Sequence, residues 1–352
     1  MKAVRVVTSI LAILVTLEIC ARADDWLAFR APLFAPYSVD DLYTVDGASL
    51  RGKPFARFKN WQLNSLGLRG PELRPERTRV LCIGASETFG MLETSGKEYP
   101  RQLEAALNEQ AGGSRFEVVN FSYFGLKLPT ANRLLPNLID DVQPRVAVIY
   151  LTYGGYVAPR PKQPVPETLV RPVFELRLAA KINDVARAVL PQPLQNWVKQ
   201  RWMEHYVRNR PLITRTPADR PQQLAEDLDA TVALLRAHGV QPVIVTHANR
   251  FTEANDPYRE DMLIAWRRFY PLVSTGGLLD MDAQLNEAAR RFAAEHGVPL
   301  IDAAVLMPGG QKYFTDYTHF TDEGARTFAG ILANGIQPLL DGTPEDARSA
   351  SR

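Results

Sequence analysis

The sequence has little cysteine: two in 352 residues, Cys20 within an apolar N-terminal segment and Cys82 within a strand-like apolar run. A strand-buried thiol behaves as a small hydrophobe, so no structural disulfide is expected, and neither cysteine has a partner at metal-ligand spacing. No metal site is expected. The chain also lacks an excess of either charge: 41 Lys and Arg face 39 Asp and Glu, and a net charge of +2 gives no hold on a polyanion. Nucleic acid is therefore not an expected partner. There is no internal repeat, heptad run or low-complexity tract, and the five histidines leave few positions for a proton-transferring ring. What is plentiful is apolar residues, 46% of the chain, enough to bury the core of one large globular domain with or without an appendage.

The chain opens with Lys2 and Arg5, an almost unbroken apolar run from Val6 to Leu17, and Ala21-Arg22-Ala23, the small-x-small pattern of a signal-peptidase site. Basic, apolar and small in that order is an export signal. The run is shorter than the about 20 residues that cross a bilayer comfortably, which favours a cleaved peptide, although continuation through Ala21 would let it just span. Residues 1–23 are expected to be a signal peptide or signal anchor. The rest should be exported: periplasmic, secreted, or tethered to the membrane and facing the periplasm.

Residues 24–76 carry scattered aromatics and prolines without a period and read as an irregular N-terminal extension. Within it Asn64–Glu72 is dense in turn formers, and Arg69 is the residue suited to a carboxylate or phosphate. From Arg79 apolar strands alternate with amphipathic helices: strands at Val80–Ile83, Phe116–Phe121, Arg145–Thr152, Pro242–Thr246 and Pro299–Ile301, helices at Tyr99–Gln110, Leu126–Leu138, 222–238, 282–296 and a last one to about Leu332. Continuous apolar strands between helices predict an α/β fold, a three-layer α/β/α sandwich on a central parallel sheet, over residues 77–340. Residues 156–220 break the rhythm with prolines and the aromatics Trp197, Trp202 and Tyr206, and read as a partly helical lid. The tail, 341–352, is expected to fray.

The strand Val80–Ile83 runs into Gly84-Ala85-Ser86-Glu87-Thr88-Phe89-Gly90. A buried strand that ends in Gly, delivers a Ser and then opens a helix holds a hydroxyl at the carboxyl edge of a parallel sheet, where such folds bind ligands. A Ser there also serves as a plain helix N-cap. As a nucleophile it needs a base, and the base needs a partner that fixes its tautomer. Asp316 and His319, three residues apart on one turn, can meet both needs. His238 and His296 each precede a Gly at a helix end, His205 sits in the insertion, and His247, after the fourth strand, is the next-best base.

With these residues in order, the chain resembles the SGNH or GDSL hydrolases, in the subgroup whose exported members carry an N-terminal apolar segment. The first block is Gly84–Gly90, with Ala85 where the family usually has Asp. The second is Asn120-Phe121-Ser122-Tyr123-Phe124-Gly125, whose Gly125 matches the glycine that lends an oxyanion N–H. The last is Asp316-Tyr317-Thr318-His319, and Asn64–Glu72 is similar to a stretch preceding the first block. The resemblance implies a flavodoxin-like α/β/α fold and an envelope serine esterase acting on an acyl group, O-acetyl foremost, of a carbohydrate or small ester. Ser86 would be nucleophile, His319 base, Asp316 its orienter, and the Ser86 and Gly125 N–H groups oxyanion donors. No cofactor is implied.

The family's third block, Gly-x-Asn-Asp, reads Thr152-Tyr153-Gly154-Gly155-Tyr156 here, without the Asn that donates to the oxyanion. Loss of one such donor costs about 2.7 to 4 kcal/mol of transition-state stabilisation. Backbone N–H groups of Gly154 or Gly155 could substitute, a side chain such as Arg69 or Asn249 could enter from elsewhere, or catalysis could be weak. Two other functions share these residues: an O-acyltransferase to envelope glycans using the same triad, and a glycan-binding module with little catalysis.

Overall fold

The computed structural model describes residues 2–46, 49–157 and 175–341. The chain divides into two compact units, residues 1–67 with 166–198, and residues 68–165 with 199–352. Much of the proline-rich part of the 156–220 insertion falls on 158–174 and nearly all of the C-terminal tail on 342–352, outside the described residues.

The larger unit is built on five parallel strands, β1 (Thr78–Gly84), β2 (Phe116–Ser122), β3 (Val146–Tyr150), β4 (Gln241–Val245) and β5 (Leu300–Ile301). Their order is β2-β1-β3-β4-β5, the doubly wound arrangement whose ligand crevice lies at the carboxyl ends beside the first strand. The helices are α1 (Tyr99–Gln110), α2 (Leu128–Val142), α3 (Asp219–Ala237), α4 (Thr275–Glu295) and α5 (Asp322–Asp341). Strand pleating sends alternate residues to opposite faces. Val80, Cys82, Val118, Val148 and Val243 share one core with Tyr99 and Leu103 of α1 and Phe328 and Leu332 of α5. Leu81, Ile83, Ala147 and Ile149, between them in sequence, are just as buried, while α3 packs on β4, α2 and α4. The three-layer sandwich follows from strands apolar on both faces.

Helix α1 has the bounds the apolar spacing predicts, but α4 begins at Thr275 rather than 282. Ser274 caps it, its hydroxyl accepting the Gly277 N–H at 2.9 Å, and the pair Gly276-Gly277, poor helix formers, conceals that start from a propensity reading. Helix α5 continues past Leu332 to Asp341, because Ala333, Ile336 and Leu340 keep an apolar stripe facing the core despite Pro338. A short helix, Arg259–Arg267, is not foreshadowed by the sequence pattern.

In the smaller unit a single helix spans Lys2–Phe29, and the Ala21-Arg22-Ala23 stretch lies inside it. Val4–Phe29 is long and apolar enough to cross a membrane, a test that an N-terminal signal sequence also passes. Its last turns are tied down. Glu18 accepts the Leu178 N–H at 2.8 Å and the Arg22 Nε–H at 2.6 Å, and Lys181 meets Asp24 at 2.6 Å and Asp25 at 2.8 Å. Two small antiparallel pairs follow, Tyr43–Asp46 with Ser49–Gly52 and Arg57–Phe58 with Trp61–Gln62.

Candidate active site

Strand β1 delivers Ser86 at the first position of a one-turn helix, Ser86–Phe89. Gly84 is required for that turn: a Cβ there would overlap the Thr88 side chain, whose hydroxyl takes the Tyr99 O–H at 3.0 Å. Asn120 of β2 donates to the Thr88 carbonyl at 2.8 Å and pins the turn from the neighbouring strand. Ser86 is thus held by the sheet edge.

The other half of the site comes from the loop before α5. Asp316 Oδ1 accepts the backbone N–H groups of Thr318 and His319, at 2.9 and 2.8 Å, which closes the loop into a tight turn. Its Oδ2 lies 2.8 Å from His319 Nδ1, and His319 Nε2 lies 2.9 Å from Ser86 Oγ. A carboxylate can only accept, so the neutral ring carries its proton on Nδ1 and offers the Nε2 lone pair to the serine. Burial opposes the charged form of His319, but Asp316 and Glu87 outweigh it and raise its pKa above the ordinary histidine value. Such a chain can take the hydroxyl proton as Oγ attacks an electrophilic carbon.

A cavity of about 250 Å³ opens over Ser86, lined also by Gly125, Lys127, Thr152, Gly154, Gly155, His247, Trp266, Tyr270, Tyr317 and His319. Gly125 holds a φ of +70°, a conformation that glycine adopts without strain. Among the described residues the N–H groups of Ser86, Gly125 and Gly154 have no protein acceptor, and so remain available to a bound anion. Arg69 and Asn249 do not line the cavity. Arg69 is buried, with its guanidinium 4.6 Å over the Phe89 ring and 3.5 Å from Glu98, while Asn249 donates to Asp282 at 2.7 Å and caps Phe251 at 2.8 Å. Trp197, Trp202 and Tyr206 are exposed and lie outside the cavity lining.

No protein-family model and no curated protein matches the sequence. Solved structures similar to it include a lipase/acylhydrolase from Enterococcus faecalis (14% identity, 74% of this chain and 96% of that one, TM-score 0.44). Others are an acetyl-xylooligosaccharide esterase from Geobacillus Stearmophilus (11%, 74% and 94%, 0.44) and a member of the lipolytic protein G-D-S-L family from Veillonella parvula (13%, 74% and 98%, 0.39). These likenesses are remote, and the chemistry is read from this chain's own side chains.

Behind Ser86 lies a second buried network that no sequence spacing reveals. His247 Nδ1 is 2.6 Å from Asp282 Oδ1, and its Nε2 is 2.9 Å from the Thr318 hydroxyl, which in turn donates to Glu87 Oε1 at 3.1 Å. Glu87 Oε2 comes back to Ser86 Oγ at 3.2 Å, so the one hydroxyl proton has two acceptors, His319 and Glu87. Burial works against both charges, yet Asp282 and Glu87 hold His247 well above the ordinary histidine range, and the two imidazole rings hold Glu87 well below the carboxylate range. Of the two histidines at the cavity, His319 is the one that reaches Ser86.

Proposed function

We propose that the chain is a serine esterase of the cell envelope that removes a short acyl group, an O-acetyl the simplest, from a carbohydrate. The observation that carries this reading is the aligned chain of Ser86, His319 and Asp316, with both hydrogen bonds under 3 Å, at the floor of a cavity. Ser86 Oγ attacks the ester carbonyl carbon and its proton passes to His319 Nε2, while the carbonyl π pair moves onto oxygen. The tetrahedral oxyanion takes hydrogen bonds from the Ser86 and Gly125 N–H groups. Collapse expels the sugar alkoxide, which recovers the proton from His319, and leaves the acyl group on Ser86. Water, deprotonated by His319, then attacks the acyl carbon; the acyl C–Oγ bond breaks, His319 returns the proton to Ser86 Oγ, and the carboxylic acid leaves. Asp316 fixes the tautomer and stabilises the imidazolium.

The cavity is small against the about 300 to 1,000 Å³ of drug-sized sites, which supports a short acyl group. Its lining mixes Lys127, Glu87 and Thr152 with aromatic rings, which suits a polar alcohol portion better than a long fatty chain. The N-terminal apolar helix supports export. Ser86→Ala should abolish turnover of p-nitrophenyl acetate and labelling by a fluorophosphonate probe in a sample with a wild-type melting curve. Unchanged turnover overturns the assignment.

A further inference from the structure

Gly154 stands at the mouth of β3, on the cavity wall, with no side chain of its own to reach into the site. Its neighbour there is Tyr270, two residues beyond the C-cap of the helix Arg259–Arg267. A Cβ built on Gly154 would lie 2.5 Å from the Tyr270 hydroxyl oxygen, about as far as an amide nitrogen stands from its own Cβ. The phenol therefore fills the space that an amide side chain at position 154 would occupy. Tyr270 lines the same small cavity as Ser86 and Gly125, and among the described residues its hydroxyl has no hydrogen-bond partner. A largely buried phenol normally finds one. An unpaired donor aimed into a site is available to the ligand.

We infer that the Tyr270 hydroxyl is a catalytic residue, the side-chain donor to the oxyanion of the ester cleavage proposed above, on which this inference rests. When Ser86 attacks, the carbonyl π pair becomes an oxygen lone pair. Tyr270 donates its O–H to that oxygen without giving up the proton, alongside the Ser86 and Gly125 N–H groups, and withdraws when the C=O re-forms. Burial and the Glu87 carboxylate nearby both raise the phenol pKa above its ordinary value, so the group stays a donor across the working range. The glycine is the other half of the arrangement: a side chain at 154 would collide with the hydroxyl.

The test is a set of substitutions in the full chain, read by steady-state kinetics on p-nitrophenyl acetate and by the rate of phosphonylation with a fluorophosphonate. Tyr270→Phe should lower kcat about 10²-fold with KM nearly unchanged, and slow phosphonylation in parallel. Gly154→Ala should cost activity in the wild-type background by displacing the hydroxyl, and cost little in the Tyr270→Phe background. Tyr270→Ala should lose kcat at least as severely, and Tyr270→Ala with Gly154→Asn should recover at least tenfold of that loss, since removal of the ring opens the space beside position 154 to the new amide. Wild-type kcat in Tyr270→Phe, or a raised KM with unchanged kcat, overturns the inference and leaves the esterase standing. A wild-type chain that neither turns over the ester nor takes the probe overturns both.

Discussion

His247 and Asp282 form a buried imidazole–carboxylate pair, 2.6 Å apart, directly behind the turn that carries Ser86. Asp282 also accepts from Asn249 and Asn286, at 2.7 and 3.3 Å, so its charge is met on several sides, while His247 faces Glu87 at 3.8 Å. Removing one partner of such a pair strands the other charge in the interior. Asp282→Asn should lower the unfolding free energy by about 3 to 5 kcal/mol, measured by urea denaturation. A loss below about 1 kcal/mol would show that the pair is not charged.

The pH profile should follow His319. A protonated ring cannot accept the Ser86 proton, and Asp316 and Glu87 raise its pKa above 6.5 against the opposing effect of burial. The kcat/KM of the free enzyme should therefore climb with pH along one ionisation centred above 6.5. Glu87→Gln, which removes a negative charge facing the ring, should move that limb to lower pH. Asp316→Asn should cut kcat about 10⁴-fold, because the amide favours the wrong tautomer.

Glu93 supplies a stability test independent of turnover. Burial pushes its carboxyl up to about 8 from an ordinary 4.5, so the folded state binds a proton that the unfolded state has already released. Its contribution is full below the unfolded pKa and is lost as pH rises through the folded one. The wild-type melting temperature should fall across that window, and Glu93→Gln, which keeps the neutral shape, should fall less. Parallel curves would exclude the effect.

Gly84→Ala should be far more damaging than a one-methyl change on a surface. The added Cβ meets Thr88 and the Tyr150 carbonyl, the latter at 3.3 Å, and the turn must shift to make room. Overpacking of this kind costs about 1 to 3 kcal/mol. Because Ser86 rides on the same turn, kcat should drop by more than the melting temperature alone accounts for.

The sheet and the Ser86, Asp316 and His319 alignment were legible because each rests on a local pattern: strands apolar on both faces, a glycine before the serine, an Asp three residues before a His. The Glu87, His247 and Asp282 network has no such pattern. Its members come from the β1 turn, the end of β4 and the middle of α4, and only the packed sheet brings them together. Tyr270 was hidden for a different reason. It follows a nine-residue helix that has no side-chain N-cap, in a stretch without strand or helix period, and its role depends on what position 154 lacks. A missing side chain can be read from sequence; the group that fills its place comes from elsewhere in the fold.

Ser86 and His319 are 233 residues apart in the chain yet 2.9 Å apart in space. A growing polypeptide that has already formed the first four strands carries the hydroxyl and no imidazole to serve it. Competence arrives only when the last loop and its helix close onto the sheet, a long-range contact of the kind that forms late and slowly. The proposed ester turnover would therefore double as a reporter of finished folding, and a chain cut short before the final helix would be silent whatever else it had built.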